Sequence, residues 1–306
     1  MACYRPLNGY RSREMNSNNK RIIVFNPSKG LLDLPVTVPC GQCIGCRLER
    51  SRQWAIRCHH EASLHEKNCF ITLTYAPEHL PQNGTLIKKH YQDFMKRLRK
   101  RFGPNIRYFH CGEYGEKNAR PHYHACLFNF DFRDKQLWKI VRNNKLYTSE
   151  ALAELWPVGF STIGDVTFES AAYVARYITK KVTGKDALDH YTTYCPNSGE
   201  IISERLPEYT TMSLKPGIGA KWIHEFHSDV YPRDEVIMRE KKIKPPKYYD
   251  KIYDQYDPEQ FRKIKAKRVA LAKLNEVNNT PERLSVRERI KTMANKLLKR
   301  SYENET

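Results

Sequence analysis

Two histidines one residue apart, His122 and His124 in the run Pro121-His-Tyr-His, are the sharpest chemical signal in this chain. On a strand, alternate side chains share a face, so both imidazoles can reach one metal ion while Tyr123 turns to the other side. A preceding strand-like run, IRYFHCGEYG, is joined to PHYHACLFNF by the polar stretch 116–120, which predicts an antiparallel hairpin. That hairpin brings Glu113 opposite the start of the second strand. Glu113, His122 and His124 then form a two-His-one-carboxylate set suited to Mg²⁺ or Mn²⁺, with open positions for a phosphate oxygen. The bland alternative is a pair of solvated strand histidines and an ordinary turn carboxylate. With 11 His in the chain, H-x-H alone is weak.

A second constellation lies in ESAAYVARYITKKV. On a helix Tyr173, Tyr177 and Lys180 follow one stripe with Arg176 beside them, while Ala171, Val174, Ala175, Ile178 and Val182 make the opposite, apolar face. The tyrosines are therefore expected to look outward. A phenol, with a reference pKa of about 10, attacks a phosphodiester only when a metal polarises the phosphoryl oxygen and a cation, Lys180 or Arg176, steadies the developing charge. The products would be a 5′-phosphotyrosine and a free 3′-hydroxyl, and a second tyrosine one turn away permits a second transfer. Among 19 Tyr, roughly one such i, i+4 pair arises from composition alone. Tyr249 and Tyr253 are another, set aside because they follow Pro245-Pro246 in a charged tail.

The third cluster is Cys40, Cys43 and Cys46 in CGQCIGC, a C-x2-C-x2-C knuckle that needs a fourth ligand to hold tetrahedral Zn²⁺. Cys3 is the candidate, with His59 and Cys58 as alternatives. The same residues could hold an iron-sulfur cluster, although nothing nearby suggests electron transfer. Cys58, Cys69 and Cys126 read as small core residues.

The elements that must position these groups follow from periodicity. Ile44 to about Glu66 reads as a helix, Cys69–Tyr75 (CFITLTY) as a strand, and KKHYQDFMKRLRKRFGP as a helix stopped by Gly103-Pro104. A helical pair is expected over 135–156, then a strand in VGFSTIGDV and a helix from about Ser170 to Val182. PPKYYDKIY reads as a turn, followed by two basic helical stretches that look peripheral. The order is that of an α+β domain on an antiparallel sheet. The expected divisions are 1–66, a Cys-rich segment and helix; 67–232, the catalytic core; and 233–306, a basic helical extension.

The chain carries 53 Lys and Arg against 34 Asp and Glu, a formal charge of +19, which points to a polyanionic partner, nucleic acid before membrane. No run of about eighteen apolar residues and no apolar signal core are present, so a cytosolic protein is expected. The basic face of the 88–101 helix, with Tyr and Phe interleaved, could follow a phosphate backbone and stack unpaired bases.

With these residues in place the chain resembles the HUH endonuclease superfamily, and more narrowly the replication-initiation proteins of gokushovirus-type microviruses. FITLTY, PHYHACLF and YVARYITKK are similar to the family's first, metal and two-tyrosine motifs, in the family's order. PCGQCIGCRLERSRQWAIRC, KPGIGAKW and PPKYYDK resemble the phage proteins more specifically. The resemblance implies a five-stranded, RRM-like sheet with the His pair on a central strand. It also implies Mg²⁺ or Mn²⁺ on Glu113, His122 and His124, alternating nucleophiles Tyr173 and Tyr177, and Lys180 assisting. The implied activity is nicking of single-stranded DNA at a viral origin for rolling-circle replication in the host bacterial cytoplasm, with a host helicase and replication proteins as further partners. Two rivals compete. One is a non-catalytic zinc-containing nucleic-acid-binding protein; the other, a histidine-triad hydrolase, is weakened because the third alternate position is Cys126.

Overall fold

A computed structural model describes residues 3–115, 118–141, 144–176, 181–182, 184 and 186–297. The chain divides into two compact units, Met1–Glu49 with Ala266–Leu298, and Arg50–Lys265. In the first, strands β1 (Leu7–Met15), β2 (Arg21–Val24) and β3 (Gly30–Val38) form an antiparallel sheet in the order β2-β1-β3. Leu7 pairs with Val38 at one end of that sheet, which brings residue 3 and the stretch after Val38 together. Helix α1 (Ile44–Ser63) starts directly after the Cys-rich turn.

The second unit is built on a seven-stranded antiparallel sheet. Its strands in chain order are β4 (Asn68–Thr74), β5 (Arg107–Tyr114), β6 (Pro121–Phe128), β7 (Gln136–Val141), β8 (Asn144–Thr148), β9 (Ser161–Gly164) and, beyond two strands of a small separate hairpin, β10 (Thr192–Tyr194) and β11 (Ile201–Glu204), the strand β12 (Tyr209–Met212). Across the sheet the order is β12-β5-β6-β4-β9-β8-β7. The expected five strands are thus exceeded, and one misjudged segment explains it: residues 135–156, expected as a helical pair, supply the β7–β8 hairpin and only one short helix, α3 (Glu150–Leu155). QLWKIV and NKLYT are rich in aromatic and branched side chains, which favour strands. Ser149 caps α3 by accepting from the Leu152 N–H at 3.1 Å.

The two faces of the sheet bury different sets. Ile71, Leu73, Tyr123, Ala125 and Leu127 pack against α2 (Lys88–Phe102) and α3, through Tyr91, Phe94, Met95, Leu98, Leu152 and Leu155. Phe70, Phe109, Cys111, Cys126 and Phe128 pack on the other face against Cys58 and α4 (Phe168–Arg176). Tyr91 and Phe94 are core residues, so the aromatic rings of α2 are not available to stack bases. Its cations are partly committed as well: Arg97 bonds the Leu155 carbonyl and Arg99 that of Ile106.

Toward the carboxyl end come α5 (Asp186–Tyr191), α6 (Ala220–Val230), the short strands β13 (Val236–Met238) and β14 (Lys241–Ile243), α7 (Lys247–Tyr256), α8 (Pro258–Leu274) and α9 (Pro281–Lys296). PPKYYDKIY is therefore mostly helix, not a turn, with Pro246 at the N-cap, a position where a missing N–H is harmless. Tyr249 and Tyr253, one helical turn apart, are buried with Ile56, Ile223, Tyr231 and Phe261 in a third core cluster. Among the described residues no helix is long and apolar enough to cross a membrane.

Candidate functional site

The register of β5 against β6 sets Glu113 opposite His122 and Cys111 opposite His124, and that of β4 sets Thr72 opposite His124 and Thr74 opposite His122. Pleating puts all of these on one face. Nε2 of His122 lies 2.7 Å from Glu113 Oε1, and Nε2 of His124 lies 3.0 Å from the same oxygen. Glu113 and His124 are buried, while the His122 side chain keeps 16% exposure and is the partly open member of the set.

The outer nitrogens decide what this cluster can hold. Nδ1 of His122 donates to the Arg120 carbonyl at 3.1 Å, and Nδ1 of His124 meets Thr72 Oγ1 at 2.9 Å. With Nδ1–H given to a carbonyl, Nε2 of a neutral His122 is a lone pair aimed at a carboxylate oxygen. Two electron-rich atoms at 2.7 Å are satisfied only by a proton or a cation between them. Burial would raise the Glu113 pKa, but the charges and hydrogen bonds of His122 and His124 overcome it and hold the carboxyl down at about 2. The three ligand atoms lie within 4.8 Å of one another, and the donor set of two imidazoles and one carboxylate fits a divalent metal.

Beside this cluster sits Tyr173, and here the expectation of an outward-looking stripe fails. Tyr173 is 3% exposed, with Phe70, Ala171, Val174 and Ala175 around it in the core. Its ring meets His124 edge to face, with centroids 5.2 Å apart, and Phe70 at 6.3 Å. Short α4 is buried nearly all round, at Ser170, Ala171, Tyr173, Val174 and Ala175, so it has no free aromatic face. Arg176 ends the described part of the helix; Tyr177 and Lys180 lie outside the described residues.

Thr72 and Arg120 were not singled out by sequence reasoning. The signal for Thr72 was present, since FITLTY alternates polar and apolar residues beside a strand carrying H-x-H. The signal for Arg120 was not, because its role runs through its backbone carbonyl and through a guanidinium bond to the Tyr75 carbonyl at 2.9 Å.

In the first unit the structure gathers Cys3, Cys40, Cys43 and Cys46, with all four sulfurs within 4.8 Å. Cys3 Sγ is 3.7 Å from Cys40 Sγ and 3.9 Å from Cys43 Sγ. Backbone N–H groups of Tyr4, Cys40 and Cys43 each donate to a cluster sulfur at 3.3 Å. Gly41, at φ 77°, takes the left-handed turn between the first two knuckle ligands. The Cys43 thiol is drawn down to about 7: burial opposes this, but donors from Tyr4 and Cys46 override it. The alternative ligand Cys58 is buried in the core of the second unit. All nine Cys are free thiols.

Residues 68–182 match the family model for the replication-associated protein ORF2. Replication-associated protein ORF2 of Spiroplasma virus 4 is 34% identical over 297 residues, covering 89% of this chain and 87% of that protein. Replication-associated protein VP4 of Bdellovibrio phage phiMH2K is 34% identical over 278 residues, covering 87% of this chain and 82% of its own length. ORF4 of Chlamydia phage 1, also named a replication-associated protein, is 35% identical over 159 residues, or 49% of this chain and 40% of that protein. No solved structure matches.

Proposed function

Because this chain belongs to the replication-associated protein family of microviruses, we propose that it initiates replication by nicking single-stranded DNA at a viral origin through a tyrosine nucleophile. The observation that carries this is the edge-to-face contact of Tyr173 with His124, one of two imidazoles converging on the Glu113 carboxylate. Glu113, His122 and His124 would hold Mg²⁺ or Mn²⁺, which when bound supplies Lewis-acid polarisation of a phosphoryl oxygen. Thr72 and the Arg120 carbonyl hold the imidazoles in the tautomer that leaves both Nε2 atoms free to ligate.

The Tyr173 oxygen attacks phosphorus, forming a tyrosyl-phosphate bond as the bond from phosphorus to the 3′ oxygen breaks. That oxygen leaves with the proton the phenol gives up and becomes a 3′-hydroxyl able to prime synthesis. Tyr177 supplies the second transfer that rejoins a unit-length circle, and Lys180 or Arg176 the cation near the scissile phosphate. The protein acts in the host bacterial cytoplasm, with host helicase and replication proteins as partners.

In the amino-terminal unit we infer a structural Zn²⁺ on Cys3, Cys40, Cys43 and Cys46. A Zn–S bond of about 2.3 Å implies sulfurs about 3.8 Å apart in a tetrahedron, and the separations here are 3.7 and 3.9 Å. A disulfide would need sulfurs at roughly 2.05 Å.

Incubation of the full chain with Mn²⁺ and tiled single-stranded oligonucleotides from its cognate genome, followed by mass spectrometry of proteolysed adducts, tests the nicking activity. A DNA-linked peptide containing Tyr173 or Tyr177 is expected, lost when both are changed to Phe. An adduct on neither tyrosine would overturn the assignment, and absence of metal-dependent cleavage would leave the non-catalytic DNA-binding protein as the better account.

A further inference from the structure

The seven-stranded sheet ends in β7, an edge strand that leaves large apolar side chains in water. Leu137, Trp138 and Ile140 are all exposed. Single exposed apolar residues are ordinary, but one of these is organised. Trp138 packs against Phe160 with centroids 5.0 Å apart and planes at 61°, yet the two rings remain 43% and 46% exposed. Lys139 sets its ammonium 4.0 Å from the centre of the Trp138 ring. The β7–β8 pairing is irregular between Leu137 and Lys139, which frees Trp138 from the regular alternation.

Phe160 ties this pair to the metal cluster. The antiparallel register of β4 with β9 (Leu73 with Ser161, Thr72 with Thr162) continues past the strand end, because the Thr74 N–H donates to the Phe160 carbonyl at 2.9 Å and that of Ala76 to Val158 at 3.0 Å. Phe160 therefore sits opposite Thr74, which sits opposite His122. By strand alternation it belongs to the face of Thr72, His122 and His124. Two strand spacings, roughly 10 Å, separate it from His122.

We propose that Trp138 and Phe160 form a stacking platform for an unpaired base of single-stranded DNA whose backbone passes the Glu113–His122–His124 cluster. This rests on the nicking function proposed above. Rings that stack bases must be exposed, rigidly held and near cations, and this pair meets all three conditions, whereas the aromatics of α2 are buried. From residue 135 to 149 the sequence carries four Lys or Arg and no Asp or Glu, which suits a polyanion. Stacking is indifferent to base identity, so the platform would hold the strand in place and leave origin choice to other contacts.

Fluorescence anisotropy of labelled oligo(dT) against the full chain, without added metal, tests the platform. Trp138→Ala and Phe160→Ala are each expected to weaken binding roughly tenfold, from the per-base stacking contribution, while Trp138→Phe keeps most of it. Mn²⁺ binding and thermal midpoint should match the unaltered chain in all three variants, which separates lost stacking from lost folding. An unchanged oligo(dT) affinity in the double alanine variant overturns the proposal. So does a dimer, seen by sedimentation, that Trp138→Ala dissociates without altering DNA affinity, for then a second copy covers the edge. A chain that binds oligo(dT) through these rings but never forms a tyrosyl adduct would uphold the platform and defeat the nicking function.

Discussion

Gly159 offers a severe test of the geometry that holds β4, and with it the metal-bearing face. A Cβ built on Gly159 would lie 2.0 Å from the Thr74 carbonyl oxygen, 2.6 Å from Ala76 N and 2.7 Å from Tyr75 Cα. These are backbone atoms at the end of a central strand and cannot swing aside as a side-chain tip would. Relief requires moving the 158–160 segment, and three bonds cross that junction: Thr74 N–H to Phe160 O at 2.9 Å, Ala76 N–H to Val158 O at 3.0 Å, and the Trp156 indole N–H to Thr74 O at 2.7 Å. At about 1 kcal/mol for each bond weakened, Gly159→Ala is expected to cost about 3 kcal/mol or more. For a unit of this size that lowers the melting temperature by about 6 to 12 °C. The control lies five residues on. A Cβ at Gly164 would meet nothing closer than 3.7 Å, so Gly164→Ala should stay within about 1 kcal/mol of the unaltered chain. Urea unfolding of both variants decides the matter: equal midpoints for the two substitutions would refute the close approach of residue 159 to β4.

Stability should also fall with acid through His60, whose ring stacks on Trp222 at 3.5 Å and whose Nδ1 meets the Tyr249 hydroxyl at 2.9 Å. Burial, helped by the charge of His59, depresses its pKa from 6.5 to about 3, so the folded chain keeps it neutral while the unfolded chain takes up a proton first. The stabilisation is full above about pH 6.5 and is lost as pH falls towards 3; between pH 7 and 5 the loss from this group is about 2 kcal/mol. His60→Gln should lose that much less than the unaltered chain between those pH values in urea titrations, and identical losses would contradict a neutral buried imidazole. Purified protein should carry one zinc per chain by elemental analysis and lose it, with a lower melting temperature, under a strong chelator; Cys43→Ser with undiminished zinc would dismiss the Cys site.

How much was legible in the chain itself depended on whether one face or two were buried. Strand β4, helix α2 and the β5–β6 hairpin fall where alternation and i, i+3, i+4 spacing place them, because each contrasts an apolar face with a different one. The α4 segment was recognised as a helix, but which face met the sheet was not. Nearly every described side chain in its second half is buried, and a helix without a wet face carries no directional signal. Cys3 could be named only as a candidate partner for the 40–46 knuckle, because the pairing that brings it there, Leu7 with Val38, belongs to strands β1 and β3, whose side chains are mostly exposed or half-buried. The hairpin β7–β8 failed for the same reason in reverse: an edge strand with exposed apolar residues obeys no inside-outside rule.

The alternation of histidine, tyrosine and histidine on β6 does more than aim two ligands one way. Tyr123 points into the opposite core, where its hydroxyl donates to the Ile87 carbonyl at 2.9 Å, accepts from the Ile87 N–H at 3.1 Å and meets the Tyr75 hydroxyl at 2.7 Å. Ile87 is the N-cap of α2, so this one phenol satisfies a helix terminus that lacks a side-chain cap and pins the strand at the residue between the two imidazoles. With Nδ1 of each histidine also tied, His124 to Thr72 and His122 to a backbone carbonyl, neither ring can turn without breaking a bond. Ligands fixed at both the backbone and the outer nitrogen need little reordering when a cation arrives. A rigid ligand pair on the sheet, with the tyrosine on a separate short helix packed against it, places the part that must stay still and the part that must take part in bond exchange on different elements of the fold.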